Sequence, residues 1–199
     1  RNSVAKSMAG KISPALNSWS RFTFNLPFSV LLVSLLVYQS GVPETTWIFL
    51  GYCSATAVTQ LLGNIALVAA FQRANFAQSI VFHKPEVLFT AILGALFFSE
   101  WPSFLGWIGV WCCGGGILLM NLGRDTQGRA WRRAFSIDTG AALALACAFL
   151  LVIASFMLKE AVFQLRGDNP EWAAGYFGPA AYTLFHTTWI EVVILTVFL

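Results

Sequence analysis

The stretch from residue 139 to residue 163, TGAALALACAFLLVIASFMLKEAVF, decides the fold class, because it stays apolar over a length that suits a membrane span. About 20 apolar residues in a helix cross the roughly 30 Å hydrocarbon core of a bilayer. Comparable runs occur elsewhere: Leu26–Tyr38 with a polar lead-in from Ser13, Thr46–Phe71, Phe76–Phe98, Phe104–Leu122 and Trp172–Leu199. We therefore predict about six transmembrane segments.

The composition points the same way. Hydrophobic residues make up 57% of the chain and charged residues 11%, and the mean hydropathy is +0.69. Soluble domains carry about 25% charged residues, so this chain could not cover a water-exposed surface. Backbone amides in lipid must be paired within the segment, and the runs are too long for barrel strands of about ten residues. The predicted fold is an all-α, multi-pass integral membrane bundle.

Motifs for metal, cofactor or enzyme chemistry are missing from the sequence. The four cysteines lie inside apolar segments without metal-ligand spacing, so we interpret them as small core residues and expect neither metal nor cofactor. The chain contains neither an H-E-x-x-H motif nor a nucleophile elbow. The sequence accordingly predicts no catalytic residues and no enzyme.

Basic residues alternate between connections. Eight lie at the start of the chain, at Arg73 and in the Arg-rich segment 124–138, whereas the intervening loops carry Glu44, Glu100 and a mixed group from Lys159 to Glu171. The positive-inside rule makes the basic side cytoplasmic. The segment 124–138 is also the predicted boundary between residues 1–123 and residues 139–199.

The two parts show traces of a repeat. Pro14-Ala15 and Pro179-Ala180 are each followed, seven residues after the proline, by a basic side chain, Arg21 or His186. Repeated helical units, often inverted, are typical of secondary transporters. The chain also lacks a starting Met and ends inside an apolar run, so we expect a piece of a longer protein.

Ionisable residues inside a predicted span give the sharpest functional signal. His83, Lys84, Pro85 and Glu86 are consecutive, and spacings of three and four place His83 and Glu86 on one helix face. Pro85 cannot donate a backbone hydrogen bond, which predicts a kink. Since such residues usually face a hydrated interior, we predict a substrate or proton pathway here. The alternative is that His83 and Lys84 lie near the interface and snorkel.

Polar stripes recur on three other spans. They consist of Asn17, Arg21 and Asn25; of Cys53, Thr56, Gln60 and Asn64; and of Thr183, Thr187 and Glu191 with Tyr182 and His186 alongside. Single amides often serve as interhelical contacts, but four polar faces predict a shared hydrated centre. The candidate pathway residues are His83, Lys84, Glu86, Arg21, Gln60, Asn64, His186 and Glu191, and Arg21 has two candidate partners, Glu86 and Glu191.

Some conspicuous residues receive structural interpretations. Glu100 ends a span just before Trp101-Pro102, where a charge costs little, so it belongs to a helix corner. Gly106 and Gly109 begin a glycine-rich run that we expect to pack closely against another helix. This run lacks the Lys-Ser/Thr end of a phosphate loop.

The stretch from Leu61 to Arg124 resembles the EamA-like branch of the drug/metabolite transporter superfamily. The features that carry this resemblance are the Ala-rich helix end Ile65–Ala70, Pro85, Gly94, the acidic helix end Phe98-Ser99-Glu100 and the glycines from Gly106 to Gly116. The resemblance implies two five-helix repeats. Residues 1–123 would be the first repeat without most of its first helix, and residues 139–199 the start of a second repeat without its last helices. Family members with a cytoplasmic N-terminus would place segment 124–138 outside, against the charge bias.

These observations favour a secondary transporter for a small organic metabolite or drug-like solute, with proton coupling through Glu86 or through His83, whose reference pKa is about 6.5. The alternatives are an intramembrane enzyme and a non-transporting assembly subunit. The expected partners are the lipid bilayer and a small-molecule substrate, with protons and a second copy of the chain, as a homodimer, as candidates; nucleic acid is not expected. The expected location is the cell (inner) membrane.

Overall fold

A computed structural model describes residues 13–73, 86–98, 101–122, 139–172 and 175–199, and over these residues it is helical without strands, which confirms the predicted all-α class. The helices are α1 (Pro14–Ser40), α2 (Trp47–Arg73), α3 (Glu86–Phe98), α4 (Phe104–Leu122), α5 (Thr139–Asp168) and α6 (Phe177–Phe198), with a 3-10 turn at Pro170–Trp172. Within the described residues, α1, α2, α5 and α6 are long and apolar enough to cross a membrane. The predicted total of six spans stays a prediction.

Helix α1 begins earlier than hydropathy predicts, because capping rather than apolarity sets its start. The Ser13 hydroxyl accepts the Leu16 N–H at 3.2 Å, and Pro14 occupies the first helical position, where its missing N–H costs nothing. The polar lead-in before Leu26 is therefore helix. Pro27 lies inside α1 and leaves the Thr23 carbonyl without its helical donor. The helix ends at Gly41, whose N–H donates to the Val37 carbonyl at 2.9 Å.

The last two spans also differ from their predicted limits. Helix α5 continues past Phe163 to Asp168, so its polar end extends beyond a 30 Å apolar layer. The predicted span Trp172–Leu199 is instead a 3-10 turn that ends at Trp172, followed by a helix from Phe177. A Cβ at Gly178 would lie 3.2 Å from the Trp172 ring, so glycine leaves room for this buried side chain.

The chain divides into two compact units. Unit 1 comprises residues 1–11 and 63–152, and unit 2 comprises residues 12–62 and 153–199. These units are not the predicted sequence repeats, whose boundary segment 124–138 lies outside the described residues.

Unit 1 packs through the second half of α2, helices α3 and α4, and the first half of α5. Leu67, Phe71 and Cys147 form its buried cluster. Phe89 and Phe149 meet edge to face with ring centroids 6.1 Å apart. Gly140, Ala144 and Ala148, small residues four apart on α5, are buried, as close helix packing requires.

Unit 2 contains α1, the first half of α2, the second half of α5, and α6. Its buried cluster includes Phe49, Cys53, Leu165, Trp172 and Tyr182. Helices α1 and α6 run antiparallel. The Trp19 indole N–H donates to the Thr196 hydroxyl at 2.9 Å near the start of α1 and the end of α6, while Leu32 and Phe177 line one groove near the opposite ends.

Candidate functional site

The polar face of α6 is turned into the protein. Thr183, Thr187 and Glu191, which the four-residue spacing assigns to one face, are all buried, and Glu191 is only 1% exposed. Tyr182, beside this face, is also buried, and His186 is half-buried. An acidic side chain within a span is costly unless other protein groups or water surround it. The burial of this face is the first evidence for a polar interior in unit 2.

Arg21 of α1 lies within electrostatic range of the Glu191 carboxylate. The structure therefore brings Arg21 to one of its two predicted partners; the other, Glu86, belongs to unit 1. Oε1 of Glu191 is buried and has no hydrogen-bond partner. The site thus pairs opposite charges while leaving one carboxylate oxygen able to accept a proton or a donor group of a ligand.

Asn17 lies one turn before Arg21 on the same face of α1 and is 3% exposed. Its Nδ2 atom is buried without a hydrogen-bond partner. Unpaired buried polar atoms are rare and costly, so they often mark a place where water or a ligand binds. Asn17 and Glu191 thus offer one unused donor and one unused acceptor in the same unit.

Helix α2 adds a third polar face. Cys53 and Thr56 are buried and Gln60 is half-buried, in agreement with the predicted stripe. The Cys53 thiol hydrogen-bonds the Thr187 side chain of α6, and the Phe49 ring meets the His186 ring at a centroid distance of 5.6 Å. Three predicted stripes, those of α1, α2 and α6, therefore contribute to the interior of unit 2.

His186 is held by aromatic rings and by its own helix. Its Nδ1 atom lies 3.0 Å from the Tyr182 carbonyl oxygen, which can only accept, so this contact favours the tautomer with a proton on Nδ1. The Tyr182 and Phe185 ring centroids are 4.5 and 5.3 Å away. The imidazole is thus fixed in orientation, with one nitrogen committed to the backbone.

The threonines of α6 also donate to their own helix. The Thr183 hydroxyl donates to the Pro179 carbonyl at 2.7 Å, and the Thr187 hydroxyl donates to the Thr183 carbonyl at 3.0 Å. Each hydroxyl oxygen keeps acceptor capacity toward the interior. This face of α6 therefore offers acceptors at its hydroxyls and at Glu191.

Asn25, the third member of the α1 stripe, does not share this burial. It is exposed and lines an open groove of about 280 Å³ formed by α1 and α6, together with Ser29, Phe28 and Leu184 among others. The four-residue spacing thus places Asn17 and Arg21 at the interior but leaves Asn25 at the margin.

Of the four consecutive residues in the predicted pathway around Pro85, the structure describes only the last, Glu86. His83, Lys84 and Pro85 lie outside the described residues, as does Glu100. Glu86 begins α3, is half-buried and lies within electrostatic range of Cys147. Thr90, one turn later, is exposed and donates to the Glu86 carbonyl at 2.8 Å. Asn64 is buried in unit 1.

The glycines predicted to pack closely behave differently from one another. A Cβ at Gly106 would lie 3.1 Å from Pro102 in its own first turn, and one at Gly109 would meet no atom within 4 Å. Gly114 is the position that faces another helix, since a Cβ there would lie 3.7 Å from Leu88 of α3. The Gly106 N–H donates to the Ser103 hydroxyl at 3.2 Å, which places Gly106 in the first-turn cap of α4.

Sequence reasoning missed Asn169, which links two distant loops of unit 2. Its side chain accepts the Glu44 N–H at 2.6 Å and donates to the Glu44 carbonyl at 3.0 Å. The Asp168 carboxylate beside it accepts from Thr46 at 2.5 Å and from Gln164 at 3.0 Å. An Asn next to a proline predicts a turn but does not reveal a partner 125 residues away.

Among the described residues, no group of three His, Cys, Asp or Glu side chains could hold a metal ion. No curated protein and no solved structure matches the chain. The sequence model of the EamA-like transporter family matches residues 3–122, which are more than half of the chain and carry the motifs quoted above. The chain therefore belongs to the EamA-like transporter family.

Proposed function

We propose that this protein is a secondary transporter that moves a small organic metabolite or drug-like solute across the membrane. Family membership supports transport in general. The observation that carries the proposal is the buried Glu191 carboxylate, which lies within electrostatic range of the half-buried Arg21 and keeps Oε1 without a hydrogen-bond partner. A purely structural bundle gains little from such groups, because hydrophobic replacements of buried ion pairs are often as stable.

Glu191 is the residue to which we assign ligand or proton binding. Its free oxygen can take a proton or bind a donor group of the solute, and Arg21 balances the charge when neither is present. A carboxylate that exchanges a proton for a ligand couples the two movements without ATP, since occupancy by one excludes the other. His186, whose ring is held beside this face of α6, is a second candidate residue of the pathway. Glu86 and His83 remain candidates from the sequence.

We also propose an architecture and a location for the protein. Two inverted five-helix repeats, with the pathway at their interface, are compatible with a matched region that ends at residue 122, just before the predicted boundary. The cell (inner) membrane is the proposed location, and a homodimer is compatible with the exposed apolar side chains of α1.

A flux assay tests the assignment. A panel of small organic solutes is first screened by thermal shift of the purified protein, and uptake of a labelled hit into proteoliposomes is then measured with and without a pH gradient. We expect Glu191→Gln to abolish uptake that depends on the gradient, because the amide cannot exchange a proton. Glu86→Gln tests the second carboxylate in the same assay, and Glu44→Gln, whose side chain is exposed, is the control. Uptake that keeps its pH dependence in both Glu191→Gln and Glu86→Gln would refute the carboxylate mechanism.

A further inference from the structure

Two loops of unit 2 are fastened to each other by side chains at one end of the helices. We define the polar latch as the Glu44 backbone, Thr46, Asp168 and Asn169. Asn169 is 8% exposed and bonds both the N–H and the carbonyl of Glu44, and its Nδ2 also donates to the Leu165 carbonyl at 2.9 Å. Because Glu44 supplies one donor and one acceptor, only one orientation of the amide satisfies both.

The latch is connected to the polar interior through Trp172. The Trp172 N–H donates to the Asn169 backbone carbonyl at 3.0 Å, which ties the 3-10 turn to the latch. The Trp172 ring meets the Tyr182 ring with centroids 5.6 Å apart, and the Tyr182 ring in turn meets His186. Trp172, Phe49 and Tyr182 form a buried aromatic cluster together with Cys53. The turn bonded to Asn169 thus places Trp172 in the same buried cluster as Cys53 and Tyr182.

The first loop that the latch joins is irregular in backbone conformation. Residues 41–46 form no helix, and Gly41 at their start has a φ of 78° and a ψ of 175°, a conformation that essentially only glycine adopts. A single hydrogen bond adds only modestly to stability, because water replaces the lost partner when a local opening exposes it. Such a contact is therefore suited to break and re-form during a transport cycle.

We infer that Asn169 is a positioning residue that keeps one end of the pathway closed, and that its release from Glu44 lets the turn with Trp172 move and opens access to Cys53 and Glu191. The role of this opening in transport rests on the proposed function, but the opening itself can be measured without any substrate. Opening at one end while the other stays closed is what alternating access demands.

Two native cysteines can be used to measure this opening, one as the reporter and the other as the control. Cys53 of unit 2 and Cys147 of unit 1 are both fully buried, and neither forms a disulfide. A water-soluble maleimide is added to the purified chain in detergent, and alkylation of each cysteine is followed by peptide mass spectrometry. The variants are Asn169→Ala, which removes all three side-chain bonds, and Asn169→Asp, which turns an oxygen toward the Glu44 and Leu165 carbonyls. The matched control is Glu44→Gln, because only the backbone of Glu44 takes part in the latch.

We expect alkylation of Cys53 to accelerate at least about tenfold in both variants, since each lost hydrogen bond shifts an opening equilibrium severalfold. Asn169→Ala loses three such bonds, and Asn169→Asp loses the two donated bonds and adds repulsion between its carboxylate and the two carbonyls. Cys147 should keep its rate, and Glu44→Gln should resemble the parent chain. Unchanged Cys53 rates would overturn the inference. Equal acceleration of Cys53 and Cys147 would overturn it too, because Asn169 would then support the whole fold.

A cross-link gives the opposite perturbation and does not depend on the folding of the Asn169 variants. Thr46→Cys combined with Asp168→Cys replaces a pair already in contact, so oxidation should fasten the two loops. We expect the oxidised form to protect Cys53 and to stop flux, with reduction restoring both. If oxidation protects Cys53 but the parent chain shows no measurable flux, the latch is supported and the proposed function is refuted. Cys53 alkylation that is equally fast in the oxidised and reduced forms would refute the latch.

Discussion

Removal of both members of the Arg21–Glu191 pair should destabilise unit 2 by less than the sum of the two single changes. Arg21→Met leaves a carboxylate that is 1% exposed without its nearby cation. Breaking a buried pair in this way costs about 3–5 kcal/mol, and because Arg21 is only half-buried we expect about 3 kcal/mol. Glu191→Gln leaves a cation that can reach more polar surroundings, so we expect about 1 kcal/mol.

The double variant contains neither charge and should lose only about 2 kcal/mol, since no ion is left uncompensated. The coupling energy between the two positions is then about 2 kcal/mol, within the range for residues in direct contact. A matched cycle uses Arg166→Met in place of Arg21→Met. Arg166 is also half-buried in unit 2, but it lies 3.9 Å from the centroid of the Tyr176 ring.

The measurement is unfolding of the purified protein in mixed micelles with increasing SDS, followed by tryptophan fluorescence, to which unit 2 contributes four of the eight tryptophans. The Arg166–Glu191 cycle should be additive within about 0.5 kcal/mol. Additive effects in the Arg21–Glu191 cycle, or equal coupling in both cycles, would show that Arg21 does not stabilise the buried carboxylate.

Two glycine substitutions test the backbone and packing of the described helices. Gly41→Ala places a Cβ on a residue with φ 78° and ψ 175°, so we expect a loss of about 1–3 kcal/mol in the same unfolding assay, and an unchanged midpoint would contradict the strain. In α2, Gly63→Ala brings a Cβ within 3.2 Å of Leu151 and should destabilise, whereas Gly51→Ala meets no atom within 4 Å and should stabilise by up to about 1 kcal/mol. Equal effects of these two substitutions would show that contact with Leu151 does not limit position 63.

Much of the helical framework could be predicted because it follows from local properties. Long apolar runs require internally paired backbone, and the described residues are helical as expected. The limits of the helices were less predictable, since hydropathy averages over several turns whereas single residues set the ends. Ser13 and Pro14 start α1 well before Leu26, and Trp172 belongs to a turn rather than to the last helix.

The candidate site was predictable in part. A four-residue spacing identifies a helix face, so the burial of Thr183, Thr187 and Glu191 agrees with the pattern. The same spacing cannot say how far a neighbouring helix extends, and Asn25 therefore lines an open groove. Nor can it choose between two acids for Arg21, because that choice depends on tertiary packing. The Asn169 latch was invisible because its main partner is a peptide group, which any residue could supply.

The hydroxyl bonds along α6 bear on how the chain enters the bilayer. Because Thr183 and Thr187 donate to carbonyls of their own helix, these groups are satisfied even in an isolated helix surrounded by acyl chains. Thr196 does the same with the Val192 carbonyl at 2.7 Å. The Glu191 carboxylate has no such bond within α6 and depends on Arg21 of α1, a helix that is synthesised much earlier. Stable insertion of α6 is therefore tied to prior insertion of α1, so the acidic side chain links the order of synthesis of the two helices to their assembly.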